Sequence, residues 1–275
     1  MVLSSPPSTR RVPSAGWCPT TWSAWSATSN SIVDPATPKE LSLDPHGRSI
    51  LLTGGGSGIG RSLALLLADR QPRLTLVGRR VDPMDEVAAL VRAQGGQTLV
   101  VGADLTAPGA PGAVVAAAQE RFGGIDVVVN NAGNVRAGRL DTVQESEVIA
   151  QIALNLTAPI LLTRAALPAL RASGDGLVVN IASAIALVGL PFYTTYAAVK
   201  AGVANFGDAL RRELFGEGVH VLNIFPGATS TPMMESSNAG PGSPSTATTP
   251  NSWTGCWPTA VKTELEKAVA GHSSL

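Results

Sequence analysis

The sequence predicts an α/β protein with a doubly wound, parallel sheet. Three observations support this prediction. Short apolar runs alternate with helical stretches through the middle of the chain, a glycine-rich turn joins the first run to a leucine-rich helix, and a tyrosine lies four residues before a lysine. Alternation of strands and helices gives a parallel sheet that is covered by helices on both faces.

Apolar runs of four to seven residues predict the strands, because buried parallel strands are continuously hydrophobic. We expect strands at 49–53, 73–77, 97–102, 125–130, 176–181 and 218–224. Helical spacing predicts helices that include 61–68, Asp85–Gln94, Gly112–Arg121, Gln144–Ala158 and Tyr193–Phe215. The strands' carboxyl ends then meet at one edge of the sheet, where ligands bind in open α/β proteins.

The turn Gly54–Gly60 separates the first predicted strand from the first predicted helix. Strand, glycine turn and helix are the context that a dinucleotide site requires. Glycine lets the backbone approach a pyrophosphate, and the free N–H groups at the helix start point toward it. A flexible loop also contains glycines, but the flanking elements favour nucleotide binding.

Tyr196 and Lys200 are four residues apart, so a helix places them on one face. A cation beside a phenol favours the phenolate, which makes Tyr196 a candidate proton donor and acceptor. Ser183 follows the apolar run 176–182, where its hydroxyl can bind a substrate oxygen. The alternatives are an exposed helix pair without chemistry and a small residue at a strand end.

These motifs resemble the short-chain dehydrogenase/reductase family, with a Rossmann fold over about residues 46–234. The resemblance implies that Ser183, Tyr196, Lys200 and Asn155 are catalytic, with Tyr196 as the acid/base, Ser183 on the substrate oxygen and Asn155 holding a water of a proton relay. Lys200 would hold the nicotinamide ribose and lower the pKa of the phenol. Cofactor contacts are implied at Gly54, Ser57, Ile59, Gly60, Asp104, Leu105, Asn131, Ala132, Gly133, Tyr196, Lys200, Pro226, Gly227 and Thr231.

Two arginines, Arg79 and Arg80, follow the second strand at the position where an acidic residue would bind a ribose 2′-hydroxyl. No carboxylate occurs there before Asp82. Guanidinium groups suit a 2′-phosphate, so we predict NADP as the cofactor in preference to NAD. A solvated arginine pair is the alternative interpretation.

The two ends differ in composition from the middle of the chain. Residues 1–45 and 235–258 are rich in Ser, Thr and Pro, and all five tryptophans lie in these flanks. For 1–45 we expect disorder. The alternatives are an organelle-targeting segment and a sequence that departs from the family through an altered reading frame or unusual splicing. The tail 235–275 is expected to lack the family's normal final strand and to be partly disordered, with a short helix possible at 258–271.

Composition narrows the function classes further. The formal net charge is zero and the two cysteines have no metal-ligand spacing, so we expect no nucleic acid, no metal site and a reducing cytoplasmic location. No apolar run reaches about 18 residues, so no membrane span is expected. We predict hydride transfer between NADP(H) and a small ketone or secondary alcohol, in a chain that can form a homo-oligomer. The alternatives are a dinucleotide-binding protein impaired by its abnormal tail and a nucleotide-dependent methyltransferase, which does not need the tyrosine–lysine pair.

Overall fold

The structure is a computed structural model and describes residues 44–227 and residue 233. Its centre is a parallel sheet of six strands in the order β3-β2-β1-β4-β5-β6. The strands are β1 Ser49–Thr53, β2 Arg73–Gly78, β3 Gln97–Gly102, β4 Val127–Asn130, β5 Gly176–Ile181 and β6 Val219–Ile224. The doubly wound parallel sheet predicted from the sequence is confirmed, and the strand order reverses between β1 and β4.

Six helices connect the strands and cover both faces of the sheet. They are α1 Gly58–Leu67, α2 Val81–Ala93, α3 Ala110–Phe122, α4 Glu145–Ile152, α5 Ala158–Ala172 and α6 Thr194–Glu213. The segment Ala153–Thr157 is a π-helical turn that joins α4 to α5. Helix α2 begins four residues before the predicted start at Asp85, because Pro83 is tolerated in a first helical turn.

Each face of the sheet packs against its own hydrophobic core. Side chains alternate along a strand, so Leu52 points to one face and Leu51 to the other. The first core joins the sheet to α1 and α2, and it contains the fully buried Leu74 and Leu76. The second core joins the sheet to α3, α5 and α6. These two layers hold the strand ends in fixed register, so the loops that follow them form one continuous edge.

The structure does not describe residues 1–43, and after residue 227 it describes only residue 233. The expectations for 1–43, for the missing final strand and for the helix at 258–271 lie outside the described residues. One stretch within them, Glu145–Ala172, is long and apolar enough by length and composition to cross a membrane. The buried core helix of a soluble protein passes the same test, and Leu162 and Leu170 of this stretch are buried in the second core.

Candidate functional site

The glycine turn between β1 and α1 forms a tight cradle. Gly54 has a φ of +70°, a left-handed conformation that favours glycine. A Cβ added at Gly60 would lie 2.3 Å from the carbonyl oxygen of Gly54, so only glycine fits there. Ser57 is the N-cap of α1 but makes no side-chain capping hydrogen bond, and the first turn of α1 has no acidic residue. The helix N-terminus therefore presents backbone N–H groups that suit an anion.

The loop after β4 fixes the shape of this turn. The Thr53 Oγ1 accepts hydrogen bonds from the backbone N–H groups of Asn131 and Ala132, both at 2.9 Å. In return, the Asn131 side-chain amide donates to the carbonyl oxygen of Thr53 at 2.8 Å and to that of Gly54 at 3.3 Å. The side-chain amide of Asn131 thus donates its hydrogen bonds to the glycine turn, and the two loops form one rigid unit.

The predicted acid/base pair lies on the buried face of α6. Tyr196 is 7% exposed and Lys200 is 5% exposed. The Lys200 Nζ lies 5.7 Å from the centre of the Tyr196 ring and donates to the carbonyl oxygen of Ile181, at the end of β5, at 2.8 Å. That hydrogen bond holds the ammonium beside the phenol, as the helical spacing predicted.

Burial controls the titration of both groups. Burial raises the pKa of Tyr196 to about 12, and an interaction with the Ser183 hydroxyl opposes this rise. Burial also lowers the pKa of Lys200 to about 8. Loss of hydration therefore governs the pKa of the phenol, and the lowering of this pKa by Lys200 stays a prediction.

Ser183 stands where the loops after β5 and β6 meet. Its Oγ accepts a hydrogen bond from the backbone N–H of Ile185 at 3.3 Å. The neighbouring N–H of Ala184 donates to the carbonyl oxygen of Pro226 at 2.8 Å. This bond ties the two loops together, with Ser183, Pro226 and Gly227 at the same sheet edge as Tyr196. Thr231 lies outside the described residues.

Asn155 lies inside the π-helical turn and is 1% exposed. Its Nδ2 donates to the backbone and side-chain oxygens of Asn134 at 2.9 and 2.7 Å and to the carbonyl oxygen of Gln151 at 3.0 Å. Its Oδ1 has no hydrogen-bond partner among the described residues. A Cβ added at Gly133 would lie 2.6 Å from this Oδ1 and 3.8 Å from the Lys200 Nζ, so the glycine leaves space between these two polar atoms.

The residues predicted for the adenine end follow β2 and β3. Asp104 is exposed, and its Oδ1 accepts hydrogen bonds from the hydroxyl and the backbone N–H of Thr106 at 2.7 and 2.9 Å. These bonds, with a smaller contribution from the Arg79 charge, lower the pKa of Asp104. Arg79 and Arg80 are exposed at the end of β2. Leu105 differs, because its side chain is buried in the second core and only its backbone can reach a ligand.

Several residues that support the site were not predicted from the sequence motifs. Thr53 holds the β4 loop, Ile181 accepts from Lys200, and Asn134 and Gln151 accept from Asn155. Thr53 could have been suspected, since a hydroxyl at the end of a buried strand faces the next loop. Backbone acceptors such as the carbonyl of Ile181 give no sequence signal at all.

Comparison with known proteins shows to which family the chain is similar. The sequence profile of the family described as short chain dehydrogenase matches residues 48–242. A ketoacyl reductase from Nostoc sp. is 35% identical over 184 residues, which cover 67% of this chain and 64% of that protein, so the chain matches less than two thirds of this relative's length.

Solved structures give the same picture. A metagenomic short-chain oxidoreductase in complex with NADP is 33% identical, with a TM-score of 0.64 and coverage of 68% of this chain and 85% of the other. An alcohol dehydrogenase from Thermococcus sibiricus complexed with 5-hydroxy-NADP is 28% identical, with a TM-score of 0.62 and coverage of 66% and 76%.

Proposed function

Because the chain belongs to the short-chain dehydrogenase family, we propose that it is an oxidoreductase that interconverts a ketone and a secondary alcohol, with NADP(H) as the cofactor and Tyr196 as the acid/base. One observation carries this proposal. The buried Tyr196 phenol lies beside the Ser183 hydroxyl and the Lys200 ammonium at the carboxyl edge of the sheet.

The residues of the glycine turn fit a dinucleotide. Gly54 and Gly60 leave room where any side chain would collide with the backbone, and the N-terminus of α1 offers N–H groups to a pyrophosphate. The free Oδ2 of Asp104 can accept from the adenine amino group, since its Oδ1 is already bound to Thr106. These groups lie after β1 and β3, on the two sides of β2, and together they hold the adenosine half of the cofactor.

Arg79 and Arg80 support NADP over NAD. Both side chains are exposed, and neither forms an ion pair within residues 44–227. A guanidinium without an ion-pair partner suits a phosphate, and the first acidic residue after β2, Asp82, already lies inside α2. Two relatives of known structure are complexes with NADP or 5-hydroxy-NADP. Arg79 and Arg80 would hold the 2′-phosphate.

When bound, the nicotinamide supplies or accepts the hydride. The protein's own part is to bind the substrate oxygen and to move one proton. The Ser183 hydroxyl holds the oxygen, and Tyr196 donates its proton as negative charge grows there. With a pKa of about 12, Tyr196 is protonated at neutral pH and ready to act as the acid. Reduction of a ketone therefore begins from the correct protonation state.

Alcohol oxidation needs the reverse proton transfer, which the raised pKa of Tyr196 opposes. The Lys200 ammonium beside the ring stabilises the phenolate. Any further positive charge in the site with the cofactor bound would stabilise the phenolate as well. The unpaired Oδ1 of Asn155 faces the space at Gly133 that also borders the Lys200 Nζ. A water held there would accept a proton from Lys200 and pass it on, which is the relay that we assign to Asn155.

We place the hydrocarbon part of the substrate in an open cavity of about 540 Å³, which is lined by Gly138, Arg139, Leu140, Asp141, Pro191, Phe192 and Thr194. Ser183, Tyr196 and Lys200 do not line this cavity, but Thr194 lies two residues before Tyr196. The backbone N–H of Gly138 donates to the carbonyl oxygen of Phe192 at 2.8 Å, so two loops form its wall. The guanidinium of Arg139 is neutralised by Asp141 at 3.2 Å, which leaves little free charge in the cavity. Leu140, Leu187, Val188 and Leu190 are exposed, and they favour a ketone with a sizeable hydrocarbon part.

We also propose that the chain forms a homo-oligomer. The outer side of α4 and α5 exposes Ile149, Ile152 and Leu161, with 57%, 40% and 41% of their surfaces accessible. Contact with a second copy would cover these apolar groups. Light scattering coupled to gel filtration measures the mass, and a monomer at all concentrations contradicts this part. We place the enzyme in the cytoplasm, since the two cysteines of the chain give no disulfide framework.

The decisive experiment compares NADPH and NADH at equal concentration, with a panel of ketones that increase in hydrocarbon size. We expect NADPH oxidation with the larger apolar ketones. The double variant Arg79→Ser/Arg80→Ser should raise the KM for NADPH at least about 10-fold and leave that for NADH within about twofold, since lost charge-assisted bonds are worth about 1.5–3 kcal/mol. Preference for NADH contradicts the cofactor assignment. Tight NADPH binding without turnover of any ketone favours the impaired dinucleotide-binding protein instead.

A further inference from the structure

Three asparagines, of which two are buried and Asn223 is partly buried, form a row across the carboxyl ends of β4, β5 and β6. Asn130 pairs in register with Asn180, which pairs with Asn223. The Asn130 Nδ2 donates to the Asn180 Oδ1 at 2.9 Å, and the Asn180 Nδ2 donates to the Asn223 Oδ1 at 3.0 Å. Asn130 is 4% exposed and Asn180 is fully buried. We call this row, with its partners on the helices, the asparagine ladder.

One end of the ladder lies on α6. Asn223 donates through its Nδ2 to the backbone carbonyl of Ala204 at 2.8 Å and to the Asp208 carboxylate at 3.0 Å. At the other end, Asn130 donates to the Thr163 hydroxyl of α5 at 3.0 Å. The bonds from Asn130 to Asn180, from Asn180 to Asn223 and from Asn223 to Asp208 point their donors toward the carboxylate, whereas the bond to Thr163 points away from it. Amide hydrogen bonds to a charged acceptor are the stronger ones. The ladder therefore connects α5, three strands and α6.

Gly207 confirms how closely α6 approaches this row. A Cβ at Gly207 would lie 2.0 Å from the Asn223 Oδ1 and 2.8 Å from the Asn180 Nδ2. Only glycine allows the helix backbone to rest on the ladder. The contact is therefore set by backbone and amide atoms that cannot adapt as a flexible side chain would.

The same helix face carries the acid/base pair. Lys200, Ala204 and Asp208 follow one another at spacings of four, so they stack along one side of α6. Lys200 binds the carbonyl oxygen of Ile181, the residue after Asn180. The ladder thus fixes both the helix that carries Lys200 and the strand end that receives its hydrogen bond.

The neighbouring positions on this face of the sheet are apolar. One pleat earlier, the equivalent positions on the same face are Val128, Val178 and Val221, which pack in the second core without polar groups. Apolar contacts let a helix slide by fractions of an ångström, whereas hydrogen bonds are directional and fix its position along the strands. We propose that Asn223 is a positioning residue, which through the asparagine ladder holds α6 so that Tyr196 and Lys200 face the reacting oxygen. The proposal rests on the function proposed above.

The kinetic test uses Asn223→Ala, which leaves the Asn180 Nδ2 without its acceptor and releases Ala204 and Asp208. We expect kcat for the ketone to fall at least about 10-fold and the apparent pKa of the kcat–pH profile to shift, while the KM for NADPH changes less than about threefold. Asp208→Ala should act in the same direction. Asp208→Asn keeps an acceptor oxygen and should retain kcat within about threefold. Val91→Ala, a truncation in α2 on the other face of the sheet, is the control for loss of stability alone.

A second readout needs no turnover. The chain has four lysines, and Lys200 is buried. Acetylation at pH 8 followed by mass spectrometry therefore measures how much more slowly Lys200 reacts than the other three lysines. Asn223→Ala should speed the labelling of Lys200 at least about fivefold relative to the others, and Val91→Ala should not. Unchanged labelling together with an unchanged kcat and pH profile would overturn the positioning role. If the parent chain has no turnover but Asn223→Ala still speeds the labelling of Lys200, the proposed function is contradicted. The structural role of the asparagine ladder in holding α6 is then still supported.

Discussion

Gly60→Ala tests how the glycine turn builds a dinucleotide site. The new Cβ would lie 2.3 Å from the Gly54 carbonyl oxygen and 2.9 Å from its carbon. It would also lie 2.6 Å from the Asn131 Nδ2. Ordinary contacts of a Cβ begin at about 3.4 Å, so the turn must move by about 1 Å. Two of the colliding atoms are backbone, and the third, the Asn131 Nδ2, is held by its hydrogen bonds to the carbonyl oxygens of Thr53 and Gly54.

The size of the effect follows from that displacement. Overpacking of this kind costs about 1–3 kcal/mol of folding free energy. For a domain of this size that lowers the melting temperature by roughly 2–12 °C. If the turn binds the pyrophosphate as we propose, a shift of about 1 Å would also break one of its hydrogen bonds, worth about 1.5–3 kcal/mol, and the Kd for NADPH should rise about 10–100-fold.

Fluorescence titration of NADPH measures the Kd, and circular dichroism measures the melting temperature. Gly112→Ala is the matched control, because a Cβ at that position in α3 meets nothing within 4 Å. It should leave the Kd unchanged and stabilise the fold by up to about 1 kcal/mol, since alanine is the better helix former. Unchanged NADPH affinity in Gly60→Ala would refute the assignment of this turn to the pyrophosphate.

Two further predictions concern stability. Leu162 is 1% exposed and the adjacent Leu161 is 41% exposed, so Leu162→Ala should cost about 2–5 kcal/mol in urea unfolding and Leu161→Ala less than about 1 kcal/mol; equal losses would contradict the packing of α5. For Lys200, the pKa is about 8 in the folded chain and 10.5 in the unfolded chain, so the unfolded state binds more protons between these values and the free energy of unfolding should rise with pH from about 8 to 10. Lys200→Met removes that titration. Between pH 7.5 and 9.5, the free energy of unfolding of the parent should therefore rise relative to that of the variant. If the difference between the two proteins does not change with pH, the desolvation of Lys200 is contradicted.

The sequence was sufficient to place the strands. The run Val127–Val129 is continuously β-branched, and burial on both faces makes that pattern distinctive. Leu99–Val101 is also aliphatic, although it lies in the edge strand β3 and is only partly buried. The observed strands differ from the predicted ones by at most two residues at an end. The carboxyl-edge location of the motifs followed from the parallel order alone.

Helix continuity was harder to predict. The predicted helix 144–158 ended where the structure passes through a π-helical turn and continues as α5 to Ala172. Pro159 lies in the first turn of α5, where proline is well tolerated, and Pro168 lies inside the helix. Tertiary packing of Leu162 and Leu170 sustains the helix beyond the local signal.

The predicted catalytic residues occupy neighbouring positions, but their environment was beyond sequence reasoning. Helical spacing brings Tyr196 beside Lys200, yet nothing in the spacing shows that burial dominates both pKa values. The asparagine ladder was equally hidden. An asparagine follows a valine by two positions at three strand ends, a regularity that acquires meaning only when the strand register is known.

The most direct test of the account is the turnover of Tyr196→Phe against Tyr193→Phe, with NADPH and a large apolar ketone. These are the two tyrosines of the chain, three residues apart, and each variant removes one hydroxyl. We expect Tyr196→Phe to lose at least about 100-fold in kcat with an unchanged Kd for NADPH, and Tyr193→Phe to stay within about threefold of the parent. A Tyr196→Phe enzyme that keeps its kcat within a few-fold would show that another group delivers the proton.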